Sequence, residues 1–236
     1  MTYSIMALIA FGLALLIWFL TQAVHRYNER LNEKMQQAGF FEVKQPDKAF
    51  IERIRTLYKR DSDDVNINRL YHRQGGSCEM FVLHPHPSDG AGPSMLVRCD
   101  RLDLPRVIFN SKLPLGGKLG TLLNKLSEHV ISHKLPKVDL TMHPDLAAHY
   151  QVFSDDPSRA LSLVTPALTR LLLDSQYLFT ISGEGNLFGI SLRARDFKTV
   201  NRQQLAEQIH LTILADEAQR VVEQLTQSQR QSARAF

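Results

Sequence analysis

Two histidines and a carboxylate occur within one short stretch of the sequence. His84 and His86 are separated by a single proline, and Asp89 follows three residues later. Imidazole nitrogens and carboxylate oxygens are common protein ligands of zinc and other divalent metals, so these three residues are candidate metal ligands. No further nitrogen or sulfur ligand lies nearby in the sequence. Because ordinary solvated loop histidines are the alternative, we predict no resident metal or cofactor.

A second pair of histidines lies on a predicted helix. His129 and His133 are four residues apart, so they share one helical face, as two ligands of a helical metal site must. The glutamate of the His-Glu-x-x-His motif is absent, since Val130 follows His129. We therefore interpret both as ordinary core or surface histidines.

Motifs for nucleotide binding and nucleophilic catalysis are absent. Gly116-Gly117-Lys118 lacks the Ser or Thr and the spacing of a phosphate-binding loop, and no Gly-x-Ser-x-Gly occurs. The sequence neighbours of Cys78 and Cys99 do not suggest a reactive thiolate. These observations disfavour an enzyme, although catalytic residues that are distant in the sequence stay an open alternative.

Several lysines lie on or next to the predicted helix at residues 118–133. Lys118 and Lys125 lie within the helix and Lys134 directly follows it, while leucines 119, 122 and 126 recur at helical spacing. A basic amphipathic helix can lie on anionic lipid, which makes these three lysines candidate lipid contacts. The alternative is a core helix with a lysine-rich exposed face, and we expect the leucines to be buried.

The last predicted helix carries a regular apolar seam. Its members are Leu211, Leu214, Ala218, Val221 and Leu225, at alternating spacings of three and four residues. This seam is a candidate contact for a protein partner. Fewer than three heptads are too short for a coiled coil, so we favour packing of the seam on the chain's own sheet.

Composition indicates a folded domain behind a hydrophobic N-terminus. The chain has 236 residues, 44% of them hydrophobic and 22% charged, and a formal charge of +4, which is too diffuse to argue for nucleic acid. Residues 1–24 contain no charged side chain, and residues 5–20 are almost wholly apolar. Such a run predicts a single transmembrane helix, because about 20 apolar residues span a bilayer. A cleaved signal peptide is the alternative, but the positive segment that would precede its apolar region is missing.

The charges that follow the apolar run predict the orientation. Arg26, Arg30 and Lys34 lie after it, whereas only the α-amino group precedes it. Because positive charge favours the cytoplasmic side, we predict a single-pass protein of the bacterial inner (plasma) membrane, with its N-terminus outside and its folded domain in the cytoplasm.

The remaining pattern predicts an α+β fold. We expect a transmembrane anchor at 1–24, a juxtamembrane helix at 25–39 that ends at Gly39, a soluble domain at 40–227 and a flexible tail at 228–236. Strands are predicted at 67–72, 78–83, 95–100, 106–109, 138–141, 150–153, 177–182 and 186–192. They alternate irregularly with helices, which favours a mostly antiparallel sheet with packed helices and a long C-terminal helix.

The connection between the second and third predicted strands also fixes a register. If Leu83 pairs with Ser94, antiparallel pairing brings Cys78 opposite Cys99, because each cysteine lies five residues further out. The Cα atoms would then lie within about 5.5 Å of each other. For a cytoplasmic domain we nevertheless expect both thiols to be reduced.

A longer stretch resembles a known group of bacterial proteins. It comprises His143-Pro144-Asp145-Leu146, the strand and turn at 150–156, and Thr165-Pro166-Ala167-Leu168. Together with the N-terminal apolar segment, this stretch is similar to membrane-anchored proteins of a domain family of unknown function. The resemblance implies a single span and an α+β domain, and it implies no activity.

The sequence therefore predicts a membrane-anchored, non-enzymatic interaction or scaffolding protein. Its predicted partners are the lipid bilayer and an unidentified protein, and no nucleic acid. The alternative is a metal-dependent hydrolase or metal-sensing domain that uses the loop of His84 and His86.

Overall fold

A computed structural model of the protein describes residues 2–58, 67–75, 78–85, 94–113, 117–175, 177–194 and 209–234. The chain divides into two compact units, Met1–Phe41 and Glu42–Phe236. The helices are α1 (Thr2–Gln37), α2 (Lys48–Tyr58), α3 (Gly117–Ser132), α4 (Pro144–His149), α5 (Pro157–Leu163), α6 (Pro166–Asp174) and α7 (Ile209–Arg234). The strands are β1 (Phe41–Glu42), β2 (Ile67–Gly75), β3 (Cys78–Pro85), β4 (Ser94–Cys99), β5 (Leu104–Ser111), β6 (Tyr150–Ser154), β7 (Tyr177–Gly185) and β8 (Leu187–Ala194).

The first unit consists mainly of α1, which ends at Gly39 as the sequence predicts. Gly39 has a φ of 79°, a left-handed conformation that glycine adopts without a Cβ clash. Its amide donates to the carbonyl of Gln36 at 2.9 Å, and the amide of Phe40 donates to that of Met35 at 2.8 Å. These two bonds form a Schellman motif, which satisfies carbonyls that the end of a helix leaves unpaired.

The prediction of a transmembrane helix in the fold class is wrong. Among the residues that the structure describes, no helix combines the length and the apolar character needed to cross a membrane.

The α+β class of the fold is confirmed. An eight-stranded sheet runs in the order β1-β2-β3-β4-β8-β7-β5-β6, and the pairings from β2 through to β6 are antiparallel. Strand β8 lies between β4 and β7, so it joins a meander built from β2, β3 and β4 to the strands of the second half. All six residues of β4 are buried or partly buried, as expected of a strand near the centre of a sheet.

Helices cover both faces of this sheet. On one face, Phe50, Ile54 and Leu57 of α2 pack against a cluster formed by Leu70, Phe81, Leu83, Leu96 and Leu187. Met95 and Val97 alternate with Leu96 and therefore point to the opposite face. Helix α7 contacts β4, β8, α5 and α6, which places it on that opposite face.

Helix α3 shares the face of α2. Its buried residue Ile131 packs with Phe153, and Phe153 is paired with Ile108. The register continues from Ile108 to Ser182 and from there to Gly189, which pairs with Leu96 under α2. Directly paired residues point to the same face of a sheet, so the two helices lie side by side on it.

The cysteine register is confirmed, and the predicted redox state is wrong. Leu83 pairs with Ser94 and Cys78 with Cys99, with 4.3 Å between the cysteine Cα atoms. The structure joins the two cysteines in a disulfide, so they are not the reduced thiols we expected. The bond ties the outer ends of β3 and β4 together.

Several predicted elements change in detail. Residues 138–141 form no strand, because Val138 makes one backbone bond to Val152 and Lys137 one isolated bridge to Phe153. Helices α5 and α6 are separate because Pro166, at the start of α6, has no amide hydrogen with which to continue a helix from α5. Asp156 and Thr165 cap these two helices through their side chains. Helix α4 was not predicted.

Candidate binding face on helix α3

Helix α3 is held on the sheet by a small apolar contact near its C-terminal end. Ile131 in its last turn and Leu135 just beyond it are buried with Phe153 of β6, and Ile108 of β5 packs against them. Burial of such side chains contributes about 1.5–3 kcal/mol each. This contact fixes the end of the helix, while Leu123 and Val130 are half-buried.

Polar side chains of α3 make the remaining contacts with the domain. Asn124 accepts a hydrogen bond from the amide of Leu113 at 2.7 Å and donates one to the same residue's carbonyl at 3.3 Å. Ser127 accepts from the side-chain amide of Asn110 at 3.1 Å. Glu128 accepts from Gln151 at 2.6 Å and from Lys137 at 2.5 Å. The helix therefore turns Asn124, Ser127 and Glu128 inward.

This orientation leaves a mixed basic and apolar stripe facing outward. We define the outward stripe as Lys118, Leu122, Lys125, Leu126, His129 and His133, all of them exposed. Leu122 and Leu126 are 54% and 52% exposed, so our expectation that these leucines are buried is wrong. The side chain of Leu119 lies outside the described part. Gly120 and Ile131 occupy the buried positions, nearly opposite to the two leucines around the helix.

Two of the three candidate lipid-contact lysines belong to the outward stripe. Lys118 and Lys125 flank Leu122, and they line a shallow depression of about 530 Å³ together with Gly117 and Thr121. Lys134 is exposed in the turn that follows α3. The structure thus brings cationic and apolar side chains together on one open surface, as binding to an anionic partner requires.

The outward stripe ends in two imidazole rings that touch. The Nε2 atoms of His129 and His133 are 3.0 Å apart, and the ring centroids are 4.4 Å apart in an edge-to-face arrangement. The sequence indicated the shared face of these residues but not the direction of their ring nitrogens.

No family model, curated protein or solved structure matches this chain.

The resemblance to bacterial membrane-anchored proteins of unknown function therefore stays a prediction.

The candidate metal loop falls largely outside the described residues. His84 is part of β3, although its side chain is not described, and His86 and Asp89 lie in a segment outside the described ranges. The structure consequently leaves this candidate metal site untested.

The candidate partner seam on α7 is partly described and points inward. Ala218, Val221 and Leu225 are buried in the domain. The side chains of Leu211 and Leu214 lie outside the described part. Since α7 contacts β4 and β8 as well as α5 and α6, the described seam residues pack on the chain's own sheet, as we favoured.

A cleft that the sequence did not indicate lies between α4 and the edge of the sheet. Its volume is about 700 Å³, and its polar lining includes Lys112, Lys137, Asp139 and Gln151. Lys112 donates a hydrogen bond to the carbonyl of Ala147 at 2.5 Å. Hydrogen bonds from the hydroxyl and the amide of Thr141 lower the pKa of the exposed Asp139 carboxyl below its ordinary value. No single sequence motif unites these residues, because they come from three separate segments.

Proposed function

We propose that the domain is a non-enzymatic docking module and that the outward stripe of α3 binds an anionic lipid surface. The observation that supports this proposal is the exposure of Leu122 and Leu126 between lysines, on a helix that turns Asn124, Ser127 and Glu128 toward the domain. A helix that only covers a core would turn its leucines inward. Here the leucines are available to a partner outside the domain.

The composition of the outward stripe fits a charged lipid surface. Each lysine near an anionic membrane contributes about 1 kcal/mol to binding. Burying the exposed half of a leucine side chain adds about 1 kcal/mol more. Lys118, Leu122, Lys125 and Leu126 together would supply about 4 kcal/mol, which corresponds to binding in the millimolar range. Such weak docking is reversible and suits a peripheral contact or one of several contacts.

Binding to vesicles tests this proposal. We expect the full chain to bind vesicles that contain anionic lipid more tightly than vesicles of neutral lipid. Lys118→Gln with Lys125→Gln should weaken the binding to anionic vesicles about thirtyfold at low salt, because two charges of about 1 kcal/mol each are lost. Leu122→Ser with Leu126→Ser should weaken it to a similar extent without altering the net charge. Sedimentation with vesicles measures both effects, and α1 is common to every variant.

A matched charge variant is the control for this experiment. Arg170 of α6 and Arg230 of α7 are exposed on helices away from α3, so changing both to glutamine removes the same charge elsewhere. We expect this control to bind almost as tightly as the unchanged chain. If the control and the stripe variant lose affinity equally, net charge alone explains the binding and the proposal is wrong.

The alternative function, a metal-dependent hydrolase or sensor, needs a separate test, because the structure does not describe the loop that contains His86 and Asp89. Metal analysis of the purified protein should find no stoichiometric zinc if the docking proposal is right. One zinc per chain that is lost when His84 and His86 are changed to alanine would favour a metal-dependent hydrolase or sensor instead.

A further inference from the structure

The two imidazoles at the end of the outward stripe face each other through the same ring atom. Their Nε2 atoms are 3.0 Å apart, both side chains are exposed, and one helical turn separates their Cα atoms. A lone pair on each Nε2 would repel the other at this distance unless a positive charge lies between them. A proton can supply that charge when one ring donates to the other, and a metal ion can supply it by binding both.

The distance between the two nitrogens is compatible with one kind of metal geometry in particular. With metal–nitrogen bonds of about 2.05 Å, nitrogens 3.0 Å apart subtend an angle of about 94° at the metal. Neighbouring positions of square-planar and octahedral ions are 90° apart, whereas tetrahedral zinc prefers about 109°. We propose that His129 and His133 form a two-histidine site for a divalent cation of right-angled geometry, with Cu²⁺ the preferred ion and Ni²⁺ next.

The position of the pair on α3 favours a cation. His129 lies in the last turn of the helix, where the carbonyl groups carry partial negative charge. The carbonyl of His129 already accepts hydrogen bonds from the hydroxyl of Ser132 at 3.0 Å and from the amide of His133 at 3.4 Å. These bonds hold the last turn in shape, so the rings are presented on an ordered piece of backbone.

Neighbouring residues leave the remaining coordination positions to water. Within the described part of the chain, no three His, Cys, Asp or Glu side chains are grouped closely enough to hold a metal. Glu128 is the nearest carboxylate in sequence, and it is engaged by Gln151 and Lys137 on the inner side of the helix. The site would therefore be open, with two protein nitrogens and exchangeable water ligands.

Copper titration of the full chain tests the site. We expect one Cu²⁺ to bind with two nitrogen ligands, which electron paramagnetic resonance detects directly. Changing either His129 or His133 to alanine should raise the dissociation constant at least tenfold, since the second imidazole acts at a high effective concentration. Cu²⁺ should also raise the Tm of the unchanged chain and leave that of the double variant unaltered, because only the folded helix holds the pair together.

A second histidine pair serves as the control. His143 directly precedes α4 and His149 is its last residue, six positions later, so they do not share a helical face in the way that His129 and His133 do. His143→Ala with His149→Ala should keep the Cu²⁺ affinity, the two-nitrogen spectrum and the Tm shift. If His129→Ala with His133→Ala keeps them as well, while circular dichroism shows an intact fold, the proposed site is wrong. Binding of Zn²⁺ as tight as that of Cu²⁺ would overturn the geometric argument for the choice of metal.

Discussion

At Asp139, two hydrogen bonds from one neighbouring residue set the acidity of a fully exposed carboxyl group. Its Oδ1 accepts from the amide of Thr141 at 2.9 Å and from the hydroxyl of the same residue. The hydroxyl bond is the larger cause of the lowered pKa, and the amide bond is the next. Because both bonds favour the carboxylate, they stabilise the folded chain at pH values above about 3.9, where an unfolded aspartate is ionised.

Replacing Thr141 by valine tests this account. The change removes the hydroxyl donor and keeps the amide, so the pKa of Asp139 should rise part of the way toward its ordinary value. The stabilising effect is lost as the pH falls through the lowered folded pKa, so the stability difference between the two chains should shrink there. Nuclear magnetic resonance titration of the Asp139 side chain measures the pKa. Thr121→Val is the control, because the Thr121 hydroxyl donates to the carbonyl of Gly117 and not to Asp139. This change should leave the pKa of Asp139 unchanged.

Single residues were predictable from the sequence where local geometry decides their role. Gly39 ends α1, and the pairing of Cys78 with Cys99 follows from counting outward along two strands. The redox state of the cysteines did not follow, because it was inferred from an expected compartment and not from the strands themselves. The turn at Asp139 follows a common pattern in which an Asp side chain accepts a hydrogen bond from the residue two positions later, so the residue types at 139–141 are a local signal for it.

At the scale of elements, α3 shows why apolar periodicity alone can misplace a helix face. The sequence correctly placed a helix at this position, and the spacing of its leucines suggested that they point inward. The inner face is instead chosen by Asn124, Ser127 and Glu128, whose partners lie on β5, on β6 and in the chain just after β5. Those partners lie outside the helix in the sequence, so the spacing of residues within the helix could not reveal them.

The double hydrogen bond of Asn124 should be the strongest polar determinant of this orientation. Asn124→Ala would leave the amide and the carbonyl of Leu113 without their partner in a partly buried position. We expect a loss of about 1–3 kcal/mol in the free energy of unfolding. Denaturant unfolding measures this loss. Thr121→Ala on the exposed side of the same helix should change stability by less than about 0.5 kcal/mol. Equal effects of the two changes would contradict the proposed role of Asn124.

At the scale of the whole molecule, the sequence predicted the class of the fold but not the order of its strands. Hairpins such as β3 with β4 and β7 with β8 are visible as neighbouring apolar runs separated by turn residues. The pairing of β4 with β8 joins strands that are about ninety residues apart, and no local pattern encodes it. The transmembrane prediction rested on hydropathy alone and is contradicted. The predicted localisation is untested and stays a prediction.

The disulfide should stabilise the whole domain by restricting its unfolded chain. The cysteines are 21 residues apart in the sequence, and closing a loop of this size is worth about 3 kcal/mol by the loop-entropy relation. Reduction of the protein should therefore lower the free energy of unfolding by about this amount. Cys78→Ser with Cys99→Ser should lower it similarly and make it insensitive to reductant. The denatured, unreduced chain should show no free thiol, and detection of two thiols would contradict the bond.

The place of β8 in the sheet also determines when the protein can be completed during its synthesis. Chains emerge from the ribosome with the N-terminal side first, so β2, β3 and β4 can pair long before β8 exists. Until then β4 presents an unpaired edge that includes Met95, Leu96 and Val97, and such edges pair readily with other chains. The second half of the sheet can attach to the first only once residues 187–194 have been made. A ribosome that stalls shortly before this strand would leave a nascent chain that needs a chaperone on the edge of β4.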